Sequence, residues 1–128
     1  MREVQIELFP ASGGDCILII FEKIDYRILI DGGYKETFSH SLEAVLKVLG
    51  DNGKGIDLLV VTHVDNDHIM GIIGLFQALK IQKTEIEVRE IWYNGYRHLF
   101  TDSKQAASPM LERWLRDEIG KIDFCDKE

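Results

Sequence analysis

Two histidines and two aspartates crowd into one short stretch of this sequence, which reads His-Val-Asp-Asn-Asp-His at residues 63–68. Imidazole nitrogens and carboxylate oxygens are ligands that zinc, manganese and iron accept in proteins. The spacing is too tight for all four side chains to reach one ion comfortably. It therefore favours two neighbouring ions, with His63 and Asp65 at one and Asp67 and His68 at the other.

Two such ions, about 3.5–4 Å apart, can share a hydroxide that acts as the nucleophile and can stabilise negative charge on the attacked group. The stretch therefore predicts a hydrolytic centre with two divalent cations, in which Asp67 is the catalytic candidate. In the alternative interpretation these residues are solvated loop groups, and Asp67 caps the helix that follows. We favour the metal interpretation because few other roles need two imidazoles and two carboxylates in one loop.

The stretch lies between a predicted strand and a predicted helix. The apolar residues of Ile56–Val61 indicate a buried strand, and residues 69–79 form a helix-like apolar stretch despite two glycines. Upstream, alternating polarity over Val4–Leu8 predicts a strand, while residues 16–21 and Tyr26–Ile30 predict a hairpin. A rigid strand end would fix the directions of the four candidate ligands.

The remaining elements extend this alternation of strands and helices. Apolar spacing predicts a helix over 41–50 with Gly50 as its stop, a strand over 88–94 and an amphipathic helix over 108–119. Residues 31–33, Asp-Gly-Gly, end the hairpin and lead into a loop. This order predicts an α/β fold, a mixed β-sheet with helices on one face and an apolar surface on the other.

The sequence around the candidate ligands resembles the metallo-β-lactamase-fold metallo-hydrolases. The resemblance rests on Asp31-Gly32-Gly33 after a strand, the apolar strand at 58–61, and the motif Thr62-His63-x-Asp65-x-Asp67-His68-Ile69-x-Gly71. Members commonly carry H-x-H-x-D-H, whereas here an aspartate stands in place of the second histidine, which gives an H-x-D-x-D-H variant. The segment 91–98 is also similar to one found in H-x-D-x-D-H members, some of them associated with bacterial anti-phage systems.

The resemblance implies a role for each candidate residue. His63 and Asp65 map to the first metal site, Asp67 and His68 to the second, and Asp31 to the acidic residue that buttresses the metal loop. Because a carboxylate replaces an imidazole, the first site should shift toward oxygen-preferring metals. Zinc and manganese are therefore both candidates for the two ions.

The resemblance also implies that the chain is one half of an αββα sandwich. The family's complete domain is substantially longer than 128 residues, and its later ligands are a third histidine, a bridging aspartate and a last histidine. After His68 the sole histidine is His98, in a Tyr-Arg-His-Leu setting that does not match the third ligand. We therefore expect residues 1–128 to form a single metallo-β-lactamase-like domain that lacks its C-terminal half, with an incomplete catalytic centre.

Two functions from different classes follow from these expectations. By family analogy, the intact protein is a metal-dependent hydrolase that acts on a small-molecule substrate of the phosphoester or nucleotide type. Alternatively, the chain is a non-catalytic metal-binding or protein-interaction module, for example in a bacterial defence system. Its exposed sheet face would then dock a partner chain or a second copy that completes the sandwich.

The composition and charge of the chain argue against several classes of protein. With 45% hydrophobic and 29% charged residues the chain can form a core, and its net charge of −7 argues against non-specific nucleic-acid binding. No apolar run approaches the roughly 18 residues of a membrane span, and the first residues lack an apolar signal core, so we expect a cytoplasmic protein. The two cysteines, Cys16 and Cys125, match no disulfide or zinc-knuckle spacing.

Overall fold

A computed structural model of the chain describes residues 3–63 and 65–93. These residues form one mixed five-stranded sheet in the order β1-β2-β3-β4-β5. The strands are β1 (Val4–Leu8), β2 (Ile17–Phe21), β3 (Tyr26–Ile30), β4 (Ile56–Val61) and β5 (Val88–Tyr93). The first three strands pair antiparallel, whereas β3 with β4 and β4 with β5 pair parallel. The predicted α/β class with a mixed sheet is therefore confirmed.

Helices make the two parallel connections. Between β3 and β4 lie α1 (Lys35–Thr37), a π-helical turn (Phe38–Leu42) and α2 (Glu43–Asp51), and α3 (Asn66–Lys80) joins β4 to β5. A short 3₁₀ turn, Glu22–Ile24, connects β2 to β3. Among the described residues, no helix combines the length and the apolar character that crossing a bilayer requires. The predicted helix over 108–119 and His98 lie outside the described residues.

One face of the sheet carries the core. Residues that pair across neighbouring strands point to the same face, and one such row is fully or almost fully buried: Leu18, Leu29, Leu59 and Ile91. This row shares a hydrophobic cluster with apolar side chains of α2 and α3. The described helices therefore cover this face, as the alternation of elements predicts.

The opposite face, which we call the open face, is also apolar. Most of its residues are half-buried or exposed, whereas Ile56, Leu58 and Val88 on β4 and β5 are buried. Two of its rows across the sheet are Leu8, Ile17, Ile30, Val60 and Trp92, and Ile6, Ile19, Ile28, Leu58 and Glu90. Exposure is greatest on the edge strand β1, where Ile6 is 63% and Leu8 72% exposed. The expected apolar second face is therefore present.

Glycines let α3 lie directly on the turn that follows β3. A Cβ atom on Gly71 would come within 1.8 Å of the carbonyl oxygen of Gly32, so an alanine does not fit there without a backbone shift. Two backbone hydrogen bonds hold the contact, from Gly32 N to His68 O (2.8 Å) and from Gly71 N to Gly33 O (3.0 Å). The glycines that weaken the helical pattern of α3 are thus positions of close approach.

Three helix boundaries predicted from the sequence were wrong. The helix predicted from residue 41 begins at Lys35, so the loop after the Asp-Gly-Gly turn is short. Gly50 lies inside α2, which ends at Asp51. A Cβ at position 50 would meet the carbonyl oxygen of Glu85 at 2.0 Å, so this glycine is a position of close approach and not a helix stop. Finally, α3 begins at Asn66, which places Asp67 and His68 in its first turn instead of in the preceding loop.

Candidate metal centre

The candidate residues gather at one edge of the sheet. Because β3 and β4 run parallel, the residues that follow them, Asp31 and Thr62, emerge at the same edge. The loop between β1 and β2 reaches this edge too, since Leu8 pairs with Ile17 and Ile17 pairs with Ile30. Ligand sites of open α/β sheets commonly lie at the carboxyl ends of parallel strands.

Asp31 connects the end of β3 to the start of the motif. Its carboxylate is 1% exposed and accepts hydrogen bonds from the backbone N–H of Thr62 (2.7 Å) and from the Thr62 hydroxyl. The same carboxylate lies 3.0 Å from Nδ1 of His68. These contacts lie where the resemblance places the buttressing aspartate, and they fix the segment between β4 and α3.

The contact with Asp31 orients the imidazole of His68. Because the Asp31 oxygens act as acceptors, Nδ1 of His68 is the nitrogen that donates, and the lone pair of Nε2 is left for another partner. Nε2 lies 3.7 Å from a carboxylate oxygen of Asp67, and both side chains are partly exposed. A histidine held by a carboxylate through one nitrogen is the usual arrangement of a metal ligand.

The other predicted ligands differ in how close they come to His68. The ring of His63 is exposed and its centroid lies 4.8 Å from that of His68, with the planes tilted by 49°. Asp65 is exposed and is the N-cap residue of α3, and its carbonyl accepts hydrogen bonds from the backbone of His68 and Ile69. Asp67 therefore follows the cap residue. The alternative interpretation, in which Asp67 caps this helix, was wrong because Asp65 occupies the cap position.

A fourth carboxylate, Asp15, belongs to the same cluster and was missed by the sequence interpretation. Within the described chain, one ligand atom each from Asp15, Asp31 and His68 lie within 4.8 Å of one another, which makes these three residues a possible metal-binding group. Asp15 immediately precedes Cys16 and β2. The predicted hairpin contained the signal, since pairing of Ile17 with Ile30 brings the residues before Ile17 beside Asp31.

The loop that carries Asp15 is packed tightly against the motif. A Cβ atom on Gly14 would lie 1.6 Å from the carbonyl oxygen of Asp67, so only glycine fits between this loop and α3. The carbonyl of Asp15 accepts a hydrogen bond from Gly33 N (2.9 Å), and the Thr37 hydroxyl donates to the carbonyl of Pro10 (2.9 Å). Backbone contacts on both sides therefore fix the loop that carries Asp15.

The thiol next to Asp15 is buried. Burial, and secondarily the negative charge of Asp31, raise the pKa of Cys16 to about 12. Cys16 is 2% exposed and belongs to the hydrophobic core, which agrees with the structural role expected from its lack of a C-x-x-C partner.

The donor set suits a divalent cation. Acidic side chains and an oriented imidazole meet at one edge, and carboxylate and imidazole groups are ligands of zinc and manganese. His68 and Asp67 could hold an ion from α3, His63 and Asp65 from the segment before it, and Asp15 from the β1–β2 loop. The Asp31 oxygens already have partners, since they accept from Thr62 and face Nδ1 of His68.

Comparison with known families agrees with this geometry. Residues 10–123 match the family model described as the metallo-beta-lactamase superfamily, and the match extends past residue 98, where the resemblance of the motifs ended. A comparison with curated proteins gave no significant match. Because the family model covers most of the sequence, and the sheet and the metal-type donor set fit it, the chain belongs to the metallo-beta-lactamase superfamily.

Proposed function

We propose that this protein is a metal-dependent hydrolase that uses two divalent cations, zinc or manganese, at the carboxyl edge of the sheet. The observation that carries the proposal is the orientation of His68, whose Nδ1 faces buried Asp31 while Nε2 is directed toward Asp67. When bound, the cations would supply Lewis acidity that polarises the attacked group and makes water a better nucleophile near neutral pH.

The protein's own residues would then have distinct tasks. His63, Asp65, Asp67 and His68 are the proposed ligands, and Asp67 is the residue on which we expect catalysis to depend most. Asp31 positions His68 and, through Thr62, the end of β4. The packing of α3 on the turn after β3 keeps these groups from separating.

The proposed substrate is a phosphoester, including nucleotide-type compounds. The support is family analogy, together with charge: an anionic ester would be repelled by the carboxylates at this edge and by the net charge of −7. Bound divalent cations reverse that local sign. Binding of such a substrate should therefore require the metal.

The test is hydrolysis of a bis-aryl phosphate by the purified protein with manganese or zinc, preceded by elemental analysis of bound metal. We expect His63→Ala and Asp67→Ala to lower both the metal content and the rate. His40→Ala is the matched control, because His40 is exposed on the π-helical turn outside the cluster. Equal rates in the wild type and both site variants would end the proposal.

A second candidate function is supported by the open face. An exposed apolar strand edge next to a half-buried apolar surface is typical of a surface that meets another protein. In this second proposal the open face docks a partner chain, or a second copy, that covers its apolar surface and contributes further metal ligands. Light scattering separates the candidates, since a monomer at all concentrations, active on its own, would contradict docking.

A further inference from the structure

The carboxylate of Asp31 is already occupied by hydrogen bonds. One oxygen accepts from the Thr62 backbone, and the other accepts from the Thr62 hydroxyl and faces His68 Nδ1. With three donors on a side chain that is 1% exposed, binding a cation would require breaking contacts that hold the motif. Of the three residues in the possible metal-binding group, Asp31 is therefore the one least available to an ion.

Asp15, in contrast to buried Asp31, carries an exposed carboxylate. A ligand oxygen of its side chain lies within 4.8 Å of the ligand atoms of Asp31 and His68. Its backbone is fixed by the hydrogen bond from Gly33 and by the close contact of Gly14 with Asp67. The loop therefore presents a carboxylate to the cluster at little further cost in conformational entropy.

We propose that Asp15 binds the metal directly, so that the β1–β2 loop contributes a carboxylate ligand beside the H-x-D-x-D-H motif. This inference rests on the proposed function, because it concerns the same centre. Asp31 then positions the ligand His68 without binding the ion itself, and Asp15 is the carboxylate that binds it.

A ligand at Asp15 also biases the choice of metal. Each added carboxylate makes the donor set harder and favours manganese relative to zinc, which binds well to imidazole. With Asp15 included, the cluster around His68 contains carboxylates from two loops and from α3. Loss of Asp15 should therefore weaken manganese binding more than zinc binding.

The test measures binding of manganese alone and of zinc alone by titration calorimetry, with Asp15→Asn in the full chain. The amide keeps the size of the side chain and removes its charge, and the thermal unfolding midpoint without metal should stay unchanged. We expect manganese affinity to fall at least about 10- to 100-fold, the loss seen even when a residue behind a ligand is removed. The manganese-to-zinc preference should fall with it.

A control distinguishes direct metal binding by Asp15 from a long-range effect of its negative charge on metal affinity. Glu22→Gln removes another exposed charge, at the opposite edge of the sheet after β2. At 1 M salt the screening length is about 3 Å, so an effect of distant charge should vanish, whereas the loss caused by Asp15→Asn should persist.

The outcomes are distinguishable. If the wild type binds manganese or zinc and Asp15→Asn binds both equally well, the assignment of Asp15 is wrong while the proposed function stands. If the loss disappears at high salt, Asp15 acts only through its charge and direct binding is excluded. If the wild type binds neither metal, the proposed function and this inference fail together.

Discussion

At the scale of single residues, the centre depends on one buried carboxylate that receives several donors. Asp31 receives hydrogen bonds from Thr62 and holds His68, and it adopts the left-handed backbone conformation with φ of 55°. Aspartate tolerates that conformation better than most residues. Position 31 therefore needs both a short side chain and two acceptor oxygens.

Asp31→Asn should destabilise the protein and loosen the metal centre. The amide nitrogen would face a donor from either Thr62 or His68, and an unsatisfied buried polar group costs about 1–3 kcal/mol. Urea unfolding should show that loss, and metal affinity should fall about 10- to 100-fold because His68 is no longer oriented. Thr62→Ser, which keeps the hydroxyl, is the control, and an Asp31→Asn protein with unchanged affinity would refute the positioning role.

At the scale of secondary-structure elements, the site depends on how closely α3 approaches β3. Gly71 and Gly32 meet backbone to backbone, and His68 lies one turn before that contact on α3. A shift of this helix would move both of its proposed ligands together. The helix therefore acts as a rigid carrier whose position is set by two glycines.

Gly71→Ala tests this packing. Alanine favours helices by about 1 kcal/mol over glycine, so an isolated helix would gain stability. Here the added Cβ would lie 1.8 Å from the Gly32 carbonyl, and we expect a net loss of about 1–3 kcal/mol. Gly13→Ala is the matched control, since no atom lies within 4 Å of its Cβ position, and equal stability of the two variants in urea would contradict the close approach.

At the opposite edge of the sheet, Asp25 connects the β2–β3 turn to Lys54, two residues before β4. Hydrogen bonds from Lys54 and Arg27 lower the pKa of Asp25 below its usual value. Its contribution to stability is therefore present above the ordinary aspartate pKa near 3.8 and is lost as the pH falls through the lowered pKa.

Asp25→Asn should accordingly flatten the acid side of the stability profile, measured as the thermal unfolding midpoint from pH 7 to pH 2. Asparagine also tolerates the left-handed backbone at this position, where φ is 52°, so strain is not the cause. A wild-type slope in the Asp25 variant would show that these ion pairs contribute nothing measurable.

At the scale of the whole molecule, the described part of the chain covers one face of the sheet with helices and leaves the apolar open face without such a cover. Apolar side chains on a free edge strand promote pairing with another chain. The strand β1 presents three of them, Val4, Ile6 and Leu8, all exposed. Association through this face would also bring another polypeptide near the edge that carries the candidate metal centre.

Ile6→Lys should reduce concentration-dependent association, measured by light scattering or sedimentation, without changing metal affinity. The charged group cannot enter an apolar interface without a large desolvation cost. Ile81→Lys is the control, because Ile81 is 71% exposed just after α3 and lies outside the open face. A wild type that stays monomeric at every concentration would leave the open face without a role in self-association.

The sequence by itself determined which segments form strands and where the candidate ligands lie along them. Val4–Leu8 alternates in polarity, Ile56–Val61 is continuously apolar, and the motif follows directly after it, so local pattern was sufficient. The family could be inferred from the motif for the same reason, because the residue types and their spacing are contiguous. Adjacent residues need no knowledge of the fold to be recognised.

Tertiary structure alone decided the features that depend on distant segments meeting. Asp15 joins His68 only through the register of the hairpin and the packing of its loop on α3, and no local pattern encodes that distance. Gly50 looked like a helix stop but is required by the carbonyl of Glu85, and Gly71 by that of Gly32. Local periodicity reports the conformation of a segment, whereas close approach depends on which other backbone lies against it.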